Sequence, residues 1–251
     1  MDNVQELSRI YRRILQLKSN PVAIRIIKDQ EELPVQLKKP EAILPSFCHA
    51  IMEAFKGKSL LLRRGDVRCD VGLTALGLKK EGSKLGKQKP PFKNVGFGNE
   101  EASRNSFSKG ISLPAGQTKA IAMSPLEKAV LGVDVVIFKV NSEQAFWLLT
   151  ATQYQTGYRT HLSVGTGYQG VCGDIIVYPL LHKKVNLTVN GIGDRLASPS
   201  GKNELFAGIP ASLVRPIADN LAEISLKPHF RFYHSPKGFL RAASLRTSLR
   251  P

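Results

Sequence analysis

The 251-residue sequence lacks a long hydrophobic run, because no stretch approaches the roughly 18 consecutive apolar residues that a membrane-spanning helix needs. Its first residues form an amphipathic pattern that contains acids, which is not the pattern of a secretory signal. It has only three cysteines, an odd number, which argues against a disulfide framework. These absences together predict a cytoplasmic protein with no membrane span.

The sequence also lacks the usual marks of several functional classes. It contains no recognisable Ser-His-Asp constellation and no paired-carboxylate motif, so no reaction can be named from its residues and the question of an enzyme stays open. It has no Cys-x-x-Cys zinc knuckle. It shows no helix-turn-helix, ribonucleoprotein or zinc-finger signature of a nucleic-acid binder.

The formal net charge of +16 is concentrated in two segments. Residues 79–93 carry six lysines against one glutamate, and residues 226–251 carry six lysines and arginines with no acid, so these segments hold eleven of the sixteen charges. A solvated loop rich in Gly, Lys and Pro and a basic tail would give this pattern. A surface that binds nucleic acid or another acidic partner through 79–93 and 226–251 would give it too.

Hydrophobic periodicity predicts helices that alternate with strands. The helices are expected over residues 4–18, 48–55, 73–78, 142–155 and 211–224, with others that start near Asn99 and Cys172. Asn3 and Asn141 are expected to cap the helices over residues 4–18 and 142–155. The strands are expected over residues 22–27, 59–63, 118–123, 133–138, 160–164, 185–189 and 205–207. This order favours an α/β or α+β fold: a single domain over residues 1–225, with a mixed sheet packed by helices, and a basic C-terminal tail over residues 226–251.

The three cysteines stand in separate short motifs, and each lies where a loop is expected to enter a helix. They are Cys48 in Ser-Phe-Cys-His-Ala, Cys69 in Val-Arg-Cys-Asp-Val-Gly and Cys172 in Gly-Tyr-Gln-Gly-Val-Cys-Gly-Asp. The N–H groups and the dipole of a helix start favour a thiolate. Three converging thiolates would hold a thiophilic metal, or a [4Fe-4S] cluster with one iron open. Three unrelated buried thiols would give the same sequence.

A glycine motif precedes the third cysteine. Gly165, Gly167 and Gly170 match the letters of a dinucleotide fingerprint between a predicted strand and a helix. The motif lies late in the chain and no acid follows at the usual distance of about twenty residues, so dinucleotide binding is not indicated. The glycines either let backbone amides approach an anion or a cluster, or form a flexible turn.

Three polar residues are further ligand-binding candidates because they lie in loops or at helix starts. They are Asp174, Asp194 and Arg195. Capping or bracing of the loops would explain them as well. If they bind a ligand, it would be a small anion next to the cysteines.

Several short fragments occur in an order that resembles one family. They are Pro21-Val-Ala-Ile-Arg, Phe47-Cys-His-Ala, Cys69 followed by Gly72-Leu-Thr-Ala-Leu-Gly-Leu, Ser124-Pro-Leu-Glu-Lys, Asp134-Val-Val-Ile, Gly170-Val-Cys-Gly-Asp, Gly193-Asp-Arg and Ala207-Gly-Ile-Pro. Over roughly residues 4–225 they resemble the uncharacterised archaeal and bacterial family called domain of unknown function 169.

The resemblance implies that cysteines at positions 48, 69 and 172 belong to the family's pattern, and it supplies no reaction. This chain departs from the family at one place, since Cys69-Asp-Val-Gly72 stands where Cys-Pro-Gly-Gly is common. The extra carboxylate of Asp70 would tune a cluster or add an oxygen ligand.

Three hypotheses follow from the sequence. The first is a metalloprotein that holds an iron–sulfur cluster or other thiophilic metal through the three cysteines, with a small anionic ligand at the open position. The second is a metal-free module that binds a small molecule and uses its cysteines structurally. The third is a binder of nucleic acid or an acidic partner that uses the two basic segments.

Overall fold

The computed structural model describes residues 3–79, 96–191, 195, 201–228 and 230. The helices are α1 (Val4–Ile14), α2 (Phe47–Phe55), α3 (Asp70–Ala75), α4 (Glu100–Ser108), α5 (Ser142–Gln153), a π-helix (Gly170–Val177), α6 (Tyr178–His182) and α7 (Ala211–Leu226). The strands are β1 (Val22–Lys28), β2 (Leu60–Leu62), β3 (Thr118–Pro125), β4 (Val135–Val140), β5 (Asn186–Thr188) and β6 (Leu205–Pro210). The expected mixture of helices and strands in one domain is confirmed.

The six strands form one sheet in the order β2-β3-β1-β4-β6-β5, and every pairing between them is antiparallel. This corrects the mixed sheet expected from the sequence. The helical crossovers from β1 to β2 and from β4 to β5 do connect strands that run in the same direction, as strand–helix alternation predicts. In each case a third strand lies between the two, because β3 is inserted in the first pair and β6 in the second.

Side chains that alternate along the strands give the sheet two buried faces. Val135 and Ile137 of β4 point into a core under α2, α3 and the π-helix, whereas Val136 and Phe138 point into a core under α1, α5 and α7. The described chain therefore folds as three layers, with the sheet between two layers of helices. We call the side covered by α2, α3 and the π-helix the π-helix face.

An ion-pair cluster fastens the central strands together. Arg25 of β1 donates to Asp134 Oδ1 over 3.0 Å and to Glu31 Oε2 over 2.6 Å, and Asp134 Oδ2 accepts the N–H of Ile26 over 2.7 Å. Burial acts to lower the pKa of Arg25, but the two carboxylates outweigh it and raise that pKa above its usual value. Two of the sequence fragments, those at residues 21–25 and 134–137, thus serve the fold.

The strand expected over residues 160–164 is absent, and the segment is irregular. Its backbone is held by a side chain instead of a neighbouring strand. Ser163 donates its N–H to Asn186 Oδ1 over 3.0 Å, and its carbonyl accepts from Asn186 Nδ2 over 2.7 Å. Because Asn186 also donates to the carbonyl of Asp174 over 2.8 Å, the segment is tied to the π-helix.

Most of the two basic segments lies outside the described residues, namely residues 80–93, 229 and 231–251. Where the tail begins, the ring of Phe230 packs against Trp147 of α5, with 4.6 Å between ring centroids. No helix in the described part of the chain combines the length and the apolar character that crossing a bilayer requires.

A glycine of β6 lets the π-helix lie directly on the sheet. A Cβ atom at position 208 would lie 2.1 Å from the carbonyl oxygen of Ile175 and 2.9 Å from its carbonyl carbon. Side-chain atoms do not approach a backbone this closely, so the seating requires Gly208. Since Ile175 follows Cys172 by three residues, this contact fixes the height of that cysteine above the sheet.

We expect the substitution Gly208→Ala to lower the free energy of unfolding by about 1–3 kcal/mol, because the added methyl group forces the helix backbone away from the strand. Gly132→Ala is the matched control, since a Cβ there meets nothing within 4 Å. Urea unfolding followed by circular dichroism measures both variants. Equal stability of the two would contradict the close seating of the π-helix.

Candidate thiol site

Cys48 is the second residue of α2, which begins after the N-cap Ser46. The Ser46 Oγ accepts the N–H of His49 over 3.3 Å and lies 2.8 Å from His49 Nδ1, so the imidazole is turned back toward the cap. Cys48 itself is half-buried and packs against the core of the π-helix face. It therefore combines partial access with the electrostatic environment of a helix start.

Cys69 is itself the N-cap of α3, because its Sγ accepts the N–H of Gly72 over 3.4 Å. The helix consequently starts at Asp70, before the predicted start at residue 73. Gly72 also brings α3 against α2, since a Cβ there would lie 3.1 Å from Phe47 Cβ and 3.7 Å from Cys69 Sγ. The residue that precedes Cys48 and the sulfur of Cys69 are thus neighbours of the same glycine.

Cys172 lies in the first turn of the π-helix and is buried, with 5% of its surface exposed. The carbonyl of Gln169 accepts the N–H groups of Gly173 and Asp174 over 2.8 and 3.0 Å. The bond from Asp174 spans five residues, as does the bond from Tyr178 to the carbonyl of Gly173, and this is the π-helical pattern. Such turns are rare and occur frequently at functional sites, which singles out this helix.

The three helices that carry the cysteines share the core of the π-helix face. Cys172 is part of the buried core there, Cys48 and Cys69 pack against the same core, and both α2 and α3 contact the π-helix. None of the three forms a disulfide. Within the residues that the structure describes, no group of three His, Cys, Asp or Glu side chains is arranged to hold a metal ion. The fold therefore brings the thiols into one neighbourhood without closing a coordination shell.

The glycine loop packs against other protein groups. Gly165 donates its N–H to the carboxylate of Asp174 over 2.8 Å. Gly167 lies under the ring of Phe97, because a Cβ at this position would be 2.2 Å from a ring atom. Gly170 is buried as the first residue of the π-helix. These contacts brace the loop, and a ligand-binding role for the three glycines and Asp174 stays a prediction.

The last two candidate ligand residues, Asp194 and Arg195, follow β5 in the sequence. Asp194 is outside the described residues. Arg195 is exposed, and it donates from Nη2 to the carbonyl of Val189 over 2.6 Å and from its N–H to the carbonyl of Gly191 over 3.0 Å. These bonds tie its side chain to the chain beside β5, and its predicted role toward an anion stays untested.

The carboxylate next to Cys69 has a partner in the structure. Asp70 Oδ1 lies 2.8 Å from Nζ of Lys79, whose side chain is 11% exposed against 48% for Asp70. Asp70, the acid by which Cys69-Asp-Val-Gly72 departs from the family pattern, thus neutralises the buried ammonium group of Lys79. This pair holds the start of α3, and with it Cys69, to the segment that follows the helix.

Tyr168 and Gln169, which lie just before the π-helix, have features that sequence reasoning missed. Gln169 has a left-handed backbone with φ of 64°, and its buried Oε1 has no hydrogen-bond partner within the described part of the chain. Tyr168 is buried with its hydroxyl 3.0 Å from Ser103 Oγ. No sequence signal marks a left-handed glutamine, since glycine and asparagine are the residues expected in that conformation.

A comparison with protein-family models identifies the family. The model described as uncharacterised ArCR, domain of unknown function 169, matches residues 12–220. The chain belongs to this family. No curated protein and no solved structure matches the chain.

Membership of the domain of unknown function 169 family confirms the resemblance seen in the sequence. The match includes all three cysteines, the glycine loop and the π-helix, and it ends inside α7, before the basic tail. The family description names no activity. We therefore infer the function of this family member from the geometry of its thiol site.

The Asp70–Lys79 pair predicts an asymmetry between its two members. Asp70→Asn leaves a buried ammonium group without its carboxylate and is expected to lower the free energy of unfolding by about 1–3 kcal/mol. Lys79→Met leaves a half-exposed carboxylate that water can solvate, so we expect a loss below about 1 kcal/mol. Urea unfolding measures both, with Glu53→Gln at an exposed ion pair as the control. A greater loss for Lys79→Met would overturn this account of the pair.

Proposed function

We propose that this protein binds a thiophilic metal, in the first place an iron–sulfur cluster, through Cys48, Cys69 and Cys172. The observation that supports the proposal is that the three cysteines, each at a helix start, pack in or against one core. Cysteine thiolates are the usual ligands of iron–sulfur clusters. Three of them would leave one iron of a four-iron cluster for another ligand, and the small anion predicted from the sequence is the class we assign to it.

The surroundings of the thiols suit such a group electrostatically. The N–H of Gly72 at the start of α3 donates to Cys69 Sγ, and the dipole at each of the three helix starts favours negative charge on the cysteine there. Hydrogen bonds to sulfur and a protected environment stabilise and tune a cluster. Cys172 would provide the buried side, while Cys48 and Cys69 lie nearer the surface.

Cysteine thiols have the right chemistry to bind a thiophilic metal or a cluster. Binding requires a change in their arrangement, because the described side chains form no closed three-ligand group. Cys69 lies at the start of α3, a helix of six residues. Its attachments near Cys69 are the close contact of Gly72 with Phe47 and the ion pair of Asp70 with Lys79. A shift of α3 carries Cys69 with it.

Anaerobic purification followed by iron and acid-labile sulfide analysis tests the proposal. We expect both elements in the wild-type protein together with visible thiolate-to-iron absorbance, and loss of most of the iron in each single variant Cys48→Ser, Cys69→Ser and Cys172→Ser. The control is His182→Ala at the end of α6, which removes an exposed imidazole, a type of side chain that can bind metals. This variant should keep the iron. Absence of iron and sulfide from the wild-type protein would contradict the iron–sulfur cluster. Analysis of the same sample for other soft metals would then test whether the three cysteines bind any thiophilic metal.

The second candidate function is a metal-free module that binds a small molecule and uses its cysteines for packing. The deep burial of Cys172 among apolar side chains favours it. It predicts that wild-type protein carries no metal and that the triple Cys→Ala variant folds with unchanged ligand binding.

We also propose a reducing, cytoplasmic location, because none of the three cysteines forms a disulfide.

A further inference from the structure

Residues 97–111, which include α4, lie across the loop that leads into the π-helix, and we call this segment the strap. Its first half is held by aromatic contacts. The ring of Phe97 covers Gly167 and stacks on Tyr168 with 6.0 Å between centroids. Phe107 meets the same tyrosine edge to face at 5.4 Å, and the Tyr168 hydroxyl shares a hydrogen bond of 3.0 Å with Ser103.

The end of the strap contacts the residues that follow Tyr168 in the chain. The side chain of Gln169 is seated on Gly110, since a Cβ at position 110 would lie 2.1 Å from Gln169 Oε1. A Cβ at position 173 would lie 2.9 Å from that same oxygen and 3.3 Å from the carbonyl oxygen of Ile111. The strap therefore covers both residues that lead into the π-helix and reaches Gly173, next to Cys172.

Apart from these contacts and the packing of Ile111 against the core of the π-helix face, the strap has little hold on the described part of the protein. Among the residues of α4 only Ser103 is buried, and α4 packs broadly against no other described helix or strand. Its charged residues Glu100, Glu101 and Arg104 lie on the outside or pair with one another. Segments with few buried apolar contacts open at lower free energy than the core of a protein.

The closed position of the strap also carries local costs at Gln169. A non-glycine residue with φ of 64° is strained, and a buried amide oxygen that has no donor among the described residues loses the hydrogen bond that water would give it. Lifting the strap exposes this amide to water. Part of the free energy needed for opening is thus offset by relief at Gln169.

We propose that the strap is a removable cover, which opens to give access to Cys172 and closes over what binds there. The proposal deepens the proposed function, since the ligand that the cover admits is the thiophilic metal or cluster assigned above. The opening itself is a property of the metal-free chain, so it can be measured whether or not a metal is bound.

Site-resolved thiol labelling of the full wild-type chain tests the cover. Metal-free protein is treated with N-ethylmaleimide, and modification of each cysteine is followed by peptide mass spectrometry. We expect Cys172 to react more slowly than Cys48 and Cys69, at a rate that depends only weakly on urea, because opening of the strap exposes far less surface than global unfolding. A urea dependence of the Cys172 rate equal to that of global unfolding would overturn the proposal.

The variant Phe107→Ala removes one aromatic contact of the strap and is expected to accelerate labelling of Cys172 about tenfold, with the rates at Cys48 and Cys69 unchanged. The matched control is Phe146→Ala, which removes a ring in a similar edge-to-face contact with Trp147 on the other face of the sheet. Equal Cys172 rates in the two variants would contradict the cover. Hydrogen exchange gives a second measurement on unmodified protein, with amides of α4 expected to exchange faster than those of α2.

Metal analysis keeps the two proposals separate. A chain that binds metal but labels Cys172 only through global unfolding refutes the strap alone. A chain without metal that shows the expected labelling refutes the cluster alone.

Discussion

The carbonyl of Ile175 rests on the Cα of Gly208, and the position of the cysteine-bearing π-helix follows from that contact. In the sheet, Gly208 is paired with Ile137 on one side and with Asn186 on the other. The side chain of Asn186 in turn holds the carbonyl of Asp174 and the backbone of Ser163. One glycine and its strand partner thus set the height of the helix, its first turn and the loop before it.

Polar groups are satisfied very differently in the two parts of this chain. Around Arg25 and Asp134, the buried charges are paired and hydrogen-bonded, as is usual where they serve the fold. At Gln169, and likewise at Asn190, a left-handed backbone is combined with a buried amide oxygen that has no donor in the described part of the chain. Such costs persist in proteins mainly where function requires them, and of these two residues Gln169 is the one that leads into the cysteine-bearing π-helix.

The sequence predicts those features that depend on neighbouring residues. The caps at Asn3 and Asn141 start α1 and α5 as expected, and the apolar runs become the strands β1, β3, β4 and β6. The position of each cysteine at a helix start is also predictable, because glycine, serine and acidic residues mark the place locally.

Features that depend on contacts between distant segments are not predictable in this way. The insertion of β3 between β1 and β2 makes the sheet antiparallel, although the local alternation of strand and helix suggests otherwise. Asn186 replaces a strand partner for Ser163, and Lys79 engages the carboxylate of Asp70. In each case the fold brings the two partners together, and neither the hydrophobic periodicity nor a local motif of the sequence predicts the contact.

The common placement of the cysteines bears on what they do. A cysteine used only for packing behaves in a core as a small apolar group, whereas Cys69 accepts a backbone N–H as the cap of α3. Here one is an N-cap, one lies in the first turn of α2 and one in the first turn of the π-helix, and the three come from segments far apart in the chain. Helix starts stabilise negative charge on sulfur, and a thiolate is the form that binds metals. The fold therefore places each of the three cysteines at the start of a helix that packs on one core, a setting that favours negative charge on sulfur.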